Sequence, residues 1–254
     1  MSACSSIVAS IARRRLHAAV ILVFALLLGV PVFALEPAPA SLAGAQLLAA
    51  LREGGLVLYF RHTSTDFGQN DEQMTGFEDC THQRNLTDGG RAEARRIGIE
   101  IARLKVPAGD VLASPFCRTM ETARLIFGRA DASPDVRGGP ARPDSPERYA
   151  ALRKLLSTPV PPGTDLVIVS HGNPFAAVAG TPYLAEGEAA VIRPLGAQGC
   201  SIVARIKKHE WQTLARSLSF RGAVPRSMAK RNLLVISPRS NATTDPSRTG
   251  DASC

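Results

Sequence analysis

The sequence lacks the patterns of several common enzyme classes. It contains no G-x-x-x-x-G-K-[ST] segment, which excludes nucleotide binding through a P-loop, and no G-x-S-x-G elbow of the kind that carries a serine nucleophile. No CxxC motif or Cys/His cluster has the spacing of a zinc site, and nothing repeats at a fixed period. The 254 residues are enough for one well-buried globular domain and few for two.

The net charge of +8 does not indicate a basic binding face. Residues 1–34 hold three arginines and no acidic residue, and residues 216–254 hold seven basic and two acidic residues. The chain between them is electrically neutral, with 20 residues of each sign. Because the excess lies in a leader and a tail, the sequence gives no reason to expect a nucleic-acid partner.

The N-terminus has the layout of a secretory signal. Three arginines at 13–15 precede an apolar run at 18–30, and Ala34 supplies a small residue at the expected cleavage point. Thirteen apolar residues are short for a membrane span, which takes roughly 20, so an uncleaved anchor is the weaker alternative. We therefore expect a periplasmic or secreted protein that meets a membrane only through this segment.

The expected organisation follows from these boundaries. Residues 1–34 form the signal peptide, 35–53 a linker with a short helix, 54–218 the folded domain, and 219–254 a basic tail that we expect to be disordered. Three of the five cysteines, Cys80, Cys117 and Cys200, belong to the domain. Export would permit a disulfide between Cys80 and Cys117, and buried free thiols are the alternative.

Apolar strands alternate with helical patterns along the domain. The strands are predicted at Leu56–Phe60, Asp110–Ala113 and Leu166–Val169, and Ala189–Ile192 with Cys200–Ile206 could form an edge hairpin. Helix starts are predicted near Thr87 and at Ser114-Pro115, Ser145-Pro146 and Asn173-Pro174, and His209–Leu218 forms a last helix. This order predicts an α/β three-layer sandwich around a mostly parallel sheet.

Polar side chains follow each of the three apolar strands. Arg61 and His62 end the first, Ser114 and then Arg118 follow the second, and His171 ends the third. Ligands of open α/β sheets bind beyond the carboxyl ends of the strands, so we expect these groups to meet at one edge.

Two arginines and two histidines at one edge favour a phosphate ligand. Guanidinium forks match phosphate oxygens, whereas the same positive charge would repel a divalent metal ion. A neutral imidazole in such a pocket can attack phosphorus while the cations stabilise the charge of the transferred group.

Four segments resemble motifs of the histidine phosphatase superfamily, which has the phosphoglycerate-mutase-like fold. They are FRHTSTD, RNLTDGGRAEARRIG, LASPFCRTMETA and VIVSHGNP, in the family's order, and the resemblance covers roughly residues 54–215. The exported form is similar to periplasmic members. Thr63 stands where the family has glycine, and threonine fits there only with a negative φ.

The resemblance implies roles for individual residues. His62 would be the phosphoacceptor, with Arg61, Arg118 and His171 holding the phosphoryl group, and Thr65 and Asn173 would help to line the pocket. Neither a metal nor a cofactor is expected. The predicted function is an exported phosphomonoester hydrolase with a small phosphorylated substrate. A non-catalytic module that binds phosphate or phosphosugars, or a phosphotransferase or mutase, is the alternative.

The general acid is not identified by the sequence. One branch of the family uses an aspartate directly after the second histidine, but position 172 is glycine. The other branch takes a carboxylate from the segment after the arginine helix. The candidates there are Asp131, Asp135, Asp144 and Glu147, and Glu186 and Glu188 are more distant candidates.

Overall fold

The computed structural model describes residues 41–138 and 146–221 of the chain. The predicted signal segment, residues 35–40 of the predicted linker and the predicted tail beyond residue 221 lie outside these residues. Among the described residues, no helix is both long and apolar enough to cross a membrane.

Helices and strands alternate through most of the described chain. The strands are β1 (Val57–Arg61), β2 (Ala108–Ala113), β3 (Asp131–Ala132), β4 (Asp165–Ser170), β5 (Ala189–Pro194) and β6 (Cys200–Ile206). The α-helices are α1 (Gly44–Glu53), α2 (Asp88–Leu104), α3 (Cys117–Phe127), α4 (Ala150–Ser157), α5 (Gly172–Ala179) and α6 (Glu210–Arg221). Short 3₁₀ turns lie at Cys80–His82, Pro134–Val136, Pro146–Tyr149 and Gly196–Gln198.

The six strands form one sheet in the order β3-β2-β4-β1-β5-β6. The pairs among β3, β2, β4 and β1 are parallel, whereas β5 is antiparallel to both β1 and β6. The predicted α/β fold with a mostly parallel sheet is therefore confirmed. The predicted hairpin also forms, but only β6 lies at the edge, since β5 pairs with β1.

Helices cover both faces of the sheet. Alternate residues of β1 point to opposite faces, so that Leu58 and Phe60 join one buried cluster and Val57 and Tyr59 join the other. The first cluster takes its helical residues from α1, α2, α3 and α6, and the second takes them from α4 and α5. In the first cluster, which is the larger one, the buried Trp211 ring stacks on the Phe60 ring with 5.8 Å between the ring centroids.

The domain is slightly longer at both ends than expected. Leu47, Leu48 and Leu51 of α1 are buried in the larger cluster, so this helix contributes to the core. At the other end α6 continues to Arg221, three residues beyond the predicted end of the domain at residue 218.

The predicted helix starts had mixed outcomes. The Thr87 cap is confirmed, because its side chain accepts a hydrogen bond from the Gly90 amide. The start at Ser114-Pro115 is wrong: α3 begins at Cys117, and the Ser114 amide instead donates to Val169 of the sheet. The start at Asn173 is also wrong, because α5 begins one residue earlier with His171 as its extended N-cap.

Candidate active site

The three predicted strand ends meet at one pocket of about 520 Å³. His62 follows β1, His171 follows β4, and the turn after β2 leads to Arg118 in the first turn of α3. The imidazole rings of His62 and His171 lie 5.5 Å apart between centroids. Parallel strands therefore bring together side chains that are 109 residues apart in the sequence.

Most of the predicted site residues line this pocket, with others that sequence reasoning missed. The predicted ones are Arg61, His62, Arg118, His171 and Asn173. The additional lining residues are Asp71, Met74, Arg84, Phe116, Gly138, Gly172 and Tyr183.

His62 is held as a neutral imidazole in which one nitrogen has a free lone pair. Its Nδ1 lies 2.9 Å from the carbonyl oxygen of Thr63, and because a carbonyl only accepts, Nδ1 carries the hydrogen and Nε2 has the lone pair. Burial lowers the pKa of His62, this hydrogen bond opposes the effect, and the guanidinium charges of Arg118 and Arg61 add to it, so that the pKa is about 3. The ring is therefore unprotonated at neutral pH.

Thr63 fits the position where the family has glycine. Among the described residues other than glycine, Lys105 alone has a positive φ, so Thr63 meets the condition set by its β-carbon. The side chain is fully buried, and its amide donates to the Thr122 hydroxyl of α3 at 3.3 Å.

His171 is fixed by contacts on several sides. Its Nε2 lies 2.8 Å from the Ser114 hydroxyl, and its carbonyl accepts a hydrogen bond from the Tyr59 hydroxyl at 2.9 Å. A β-carbon on Gly138 would lie 2.4 Å from the ring, so only glycine allows this backbone to pack there. Burial lowers the pKa of His171 well below its ordinary value, and Arg118 adds to the effect.

Three guanidinium groups line the pocket, one more than the sequence indicated. Arg61 donates to the carbonyl oxygen of Leu184, and Arg84 lies over the ring of Phe67. Among the described residues, the Nε–H groups of Arg61, Arg84 and Arg118 are buried without a hydrogen-bond partner. Unsatisfied charged donors at one pocket favour an anionic ligand.

Arg118 forms a bidentate pair with Asp71. Nη1 and Nη2 donate to Oδ1 and Oδ2 at 2.9 and 3.0 Å, while the arginine side chain is almost fully buried. The amide of Arg84 donates to the same Oδ1 at 2.9 Å. The carboxylate thus occupies the fork that was predicted to hold the phosphoryl group.

The loop between β1 and α2, which carries Asp71 and Arg84, is joined covalently to α3. Cys80 and Cys117 form a disulfide with their Cα atoms 5.7 Å apart, which decides between the two states left open for these cysteines. Next to it, the buried Gln83 side chain accepts from the Cys117 amide at 2.9 Å. The loop is therefore attached to the first turn of the helix that carries Arg118.

Thr65 is not among the residues that line the pocket, so its predicted role in substrate binding finds no support in the geometry. Its hydroxyl donates to Glu186 at 2.6 Å, and Glu186 lies 3.9 Å from His62 Nδ1 and 3.7 Å from Arg61 Nη2. The distant acid candidate Glu186 thus lies on the Nδ1 side of the His62 ring, whereas Glu188 pairs with Arg205.

The other acid candidates that lie in the described residues do not line the pocket. Asp131 and Asp135 are exposed on β3 and the following turn, and Glu147 is exposed before α4. Asp144 lies outside the described residues. Asp71 is the one carboxylate among the pocket-lining residues of the described chain, and no motif in its polar loop marked it.

No curated protein sequence matches the chain. Among solved structures, it is similar to SixA from Agrobacterium tumefaciens, with 16% identity over 60% of this chain and 97% of that one and a TM-score of 0.43. It is also similar to the protein histidine phosphatase SixA complexed with tungstate (17% identity, 61% and 98% covered, TM-score 0.42). A third similar structure is the mycobacterial glucosyl-3-phosphoglycerate phosphatase in complex with inorganic phosphate. Its identity is 16% over 55% of this chain and 89% of that one, with a TM-score of 0.41.

The family model of the histidine phosphatase superfamily, branch 1, matches residues 57–139. This segment contains Arg61, His62 and Arg118, and the fold adds His171 from beyond it. Over these residues the chain is similar to the histidine phosphatase superfamily, branch 1.

Proposed function

We propose that this phosphatase is an exported enzyme that hydrolyses small phosphomonoesters through a phosphohistidine on His62, without a metal ion or cofactor. The observation that most directly supports this proposal is the pocket, in which two neutral imidazoles and three guanidinium groups converge. Its volume of about 520 Å³ is within the range of small-molecule sites.

The tautomer of His62 defines the first step. Nδ1–H stays bound to the Thr63 carbonyl, so the lone pair of Nε2 attacks phosphorus and the bond to the leaving oxygen breaks. Arg61, Arg84 and Arg118 neutralise the equatorial oxygens of the transferred group. In the second step water attacks the phosphorus, the N–P bond breaks, and its electrons return to Nε2.

His171 serves as the second positioned ring. Ser114 and the Gly138 backbone fix its orientation 5.5 Å from His62, where it can donate a hydrogen bond to the phosphoryl oxygens. Its lowered pKa keeps it neutral, so it contributes a directed hydrogen bond and adds no further charge.

Export is supported by two independent features. The first 34 residues have the charged, apolar and small-residue order of a secretory signal. The Cys80–Cys117 disulfide joins the pocket loop to α3, and such bonds persist mainly in oxidising compartments. We therefore propose a periplasmic or secreted location, which fractionation of cells expressing the full chain would test.

The experiment is hydrolysis of p-nitrophenyl phosphate with and without EDTA, combined with trapping of the phosphoenzyme. Wild type should turn over equally in both conditions and give an acid-labile phosphohistidine. His62→Ala should abolish the phosphoenzyme and lower kcat by about 10⁴-fold or more, whereas the exposed control His209→Ala should retain activity.

Two results would overturn the proposal. Loss of activity in EDTA would indicate a metalloenzyme. Tight binding of inorganic phosphate without turnover of any ester would indicate a binding module on the same fold.

A further inference from the structure

The proposed reaction needs a proton donor for the leaving oxygen, and the pocket contains one unassigned carboxylate. Asp71 lines the pocket with about a third of its side chain exposed, so solvent and substrate can reach it. The described candidates on other segments do not line this pocket, and Glu186 lies beside Nδ1 of His62, the nitrogen that does not attack.

The position of Asp71 creates a competition for Arg118. Both carboxylate oxygens accept from the two terminal nitrogens of this guanidinium, which is the geometry that a phosphoryl group would also adopt. Arg118 is almost fully buried, so its guanidinium has little free space other than this pocket. A bound phosphoryl group would therefore displace the carboxylate from at least one terminal nitrogen.

Asp71 would not leave the site when Arg118 changes partner. Its Oδ1 also accepts from the Arg84 amide, which belongs to the loop that the disulfide attaches to α3. Oδ1 thus keeps one hydrogen bond, while Oδ2, which accepts from Arg118, becomes free.

The exchange also changes the proton affinity of Asp71. In the described state burial raises the pKa of Asp71, but the hydrogen bonds from Arg118 and the Arg84 amide outweigh it and hold this pKa below its ordinary value. Replacing the guanidinium contact with a neighbouring phosphate dianion removes a stabilising cation and adds a like charge. Both changes favour the protonated carboxyl group.

We propose that Asp71 is the proton donor of the reaction and that the substrate activates it by taking its place on Arg118. This inference rests on the proposed function. Asp71 has a place in the cycle that neither the family motifs nor the candidate segments indicated.

The proposed cycle has two chemical steps. Asp71, displaced from Arg118, takes up one proton from solvent. His62 Nε2 attacks phosphorus, the P–O bond to the leaving group breaks, and that oxygen takes the proton from Oδ2. In the second step the Asp71 carboxylate accepts a proton from water, whose oxygen attacks phosphorus as the N–P bond breaks. Phosphate departs, and Asp71 releases its proton and pairs with Arg118 again.

Leaving groups of different basicity provide the test. Asp71→Asn keeps the size of the side chain and an oxygen for the Arg84 amide but cannot donate the carboxyl proton. It should lower kcat/KM for the alkyl ester glycerol 2-phosphate by about 100-fold or more, which is the usual contribution of a general acid. With p-nitrophenyl phosphate, whose leaving group is a stable anion, the loss should stay below about tenfold.

The matched control is Asp135→Asn, which removes the same charge from an exposed position outside the pocket and should leave both substrates unaffected. An equal loss of kcat/KM on both esters would overturn the inference and give Asp71 a purely positioning role. Unchanged kcat/KM on both esters would also overturn the inference. In these outcomes wild type still forms phosphohistidine. Wild type that forms no phosphohistidine from either ester would instead overturn the proposed function, and the inference with it.

Discussion

The pocket is built from two halves that differ in construction. The strand-end half consists of Arg61, His62 and His171. Arg61 ends β1, the two histidines directly follow β1 and β4, and both imidazoles are almost fully buried. The loop half consists of Asp71 and Arg84, whose side chains are both half-buried. They lie in a polar segment in which the described residues form one short 3₁₀ turn and no other helix. In the proposed reaction, the sheet therefore places the nucleophile, whereas an attached loop places the group that responds to the substrate.

The two halves also stay in place by different means. Strand pairing between β1 and β4 aligns Arg61 with Ser170, which fixes the adjacent histidines at the sheet edge. The loop half depends instead on the Cys80–Cys117 disulfide and on the side chain of Gln83. Each of these differences can be tested by a separate perturbation.

The largest expected effect is the pH dependence of stability that the buried strand-end half imposes. The unfolded chain protonates its histidines near pH 6.5, whereas folded His62 stays neutral down to about 3. The unfolded state therefore binds more protons between these values. His62 alone should lower the free energy of unfolding by about 1.4 kcal/mol for each pH unit below 6.5, until the pH reaches about 3.

Urea unfolding at several pH values between 7 and 4 would measure this slope. His62→Gln should flatten it by about 1.4 kcal/mol per pH unit, while His209→Gln, at an exposed position, should leave it unchanged. Burial raises the pKa of Asp165 to about 6, an effect of opposite sign that is common to all three proteins and cancels in the comparison. Equal slopes for wild type and His62→Gln would show that His62 titrates normally.

Much of the strand-end half could be predicted from the sequence, for a physical reason. Apolar runs mark buried strands, and parallel strands align their carboxyl ends, so the groups that follow Phe60 and Val169 had to meet if the sheet formed. The rule needs no knowledge of long-range contacts, because the sheet supplies them. The fold class and the His62–His171 neighbourhood follow from it.

The loop half could not be predicted in the same way. Asp71 and Arg118 are 47 residues apart, and their contact depends on the path of a loop without periodicity. The Cys80–Cys117 pair could be suggested but not chosen, because sequence does not determine connectivity. Ser114 was also mispredicted from sequence. Its cap pattern with the following proline predicted a helix start, but the Ser114 hydroxyl contacts His171 instead.

The second prediction removes the covalent support of the loop half. Cys80→Ser with Cys117→Ser should lower the free energy of unfolding by on the order of 4 kcal/mol, since the bond closes a segment with a sequence separation of 37. KM should rise as Asp71 and Arg84 lose their fixed position, while phosphohistidine still forms on His62. Urea unfolding and steady-state kinetics would measure the two effects.

The double change to alanine is the control for the added hydroxyl groups and should give the same loss. A loss below about 1 kcal/mol would show that non-covalent contacts such as that of Gln83 are enough to hold the loop. Both halves would then be held in place mainly by non-covalent contacts.

The third prediction concerns Arg118, which the two halves share. Arg118→Lys keeps the charge but replaces the fork that contacts both Asp71 oxygens with a point charge. Loss of one charge-assisted hydrogen bond should lower kcat/KM by about 10- to 100-fold. Arg124→Lys, on an exposed position of the same helix, should have no effect, and equal kinetics of the two variants would place Arg118 outside the reaction.

The smallest expected effect comes from Glu186, behind the strand-end half. When Nε2 is phosphorylated and Nδ1 keeps its hydrogen, the ring of His62 gains positive charge 3.9 Å from the Glu186 carboxylate. The partly exposed carboxylate is screened by water, so Glu186→Gln should lower the rate of phosphohistidine formation by about fivefold or less. Single-turnover trapping would measure it, with the exposed Glu72→Gln as control. An unchanged rate would mean that the Thr63 carbonyl alone stabilises the phosphorylated ring, and that the strand-end half needs no anion behind it.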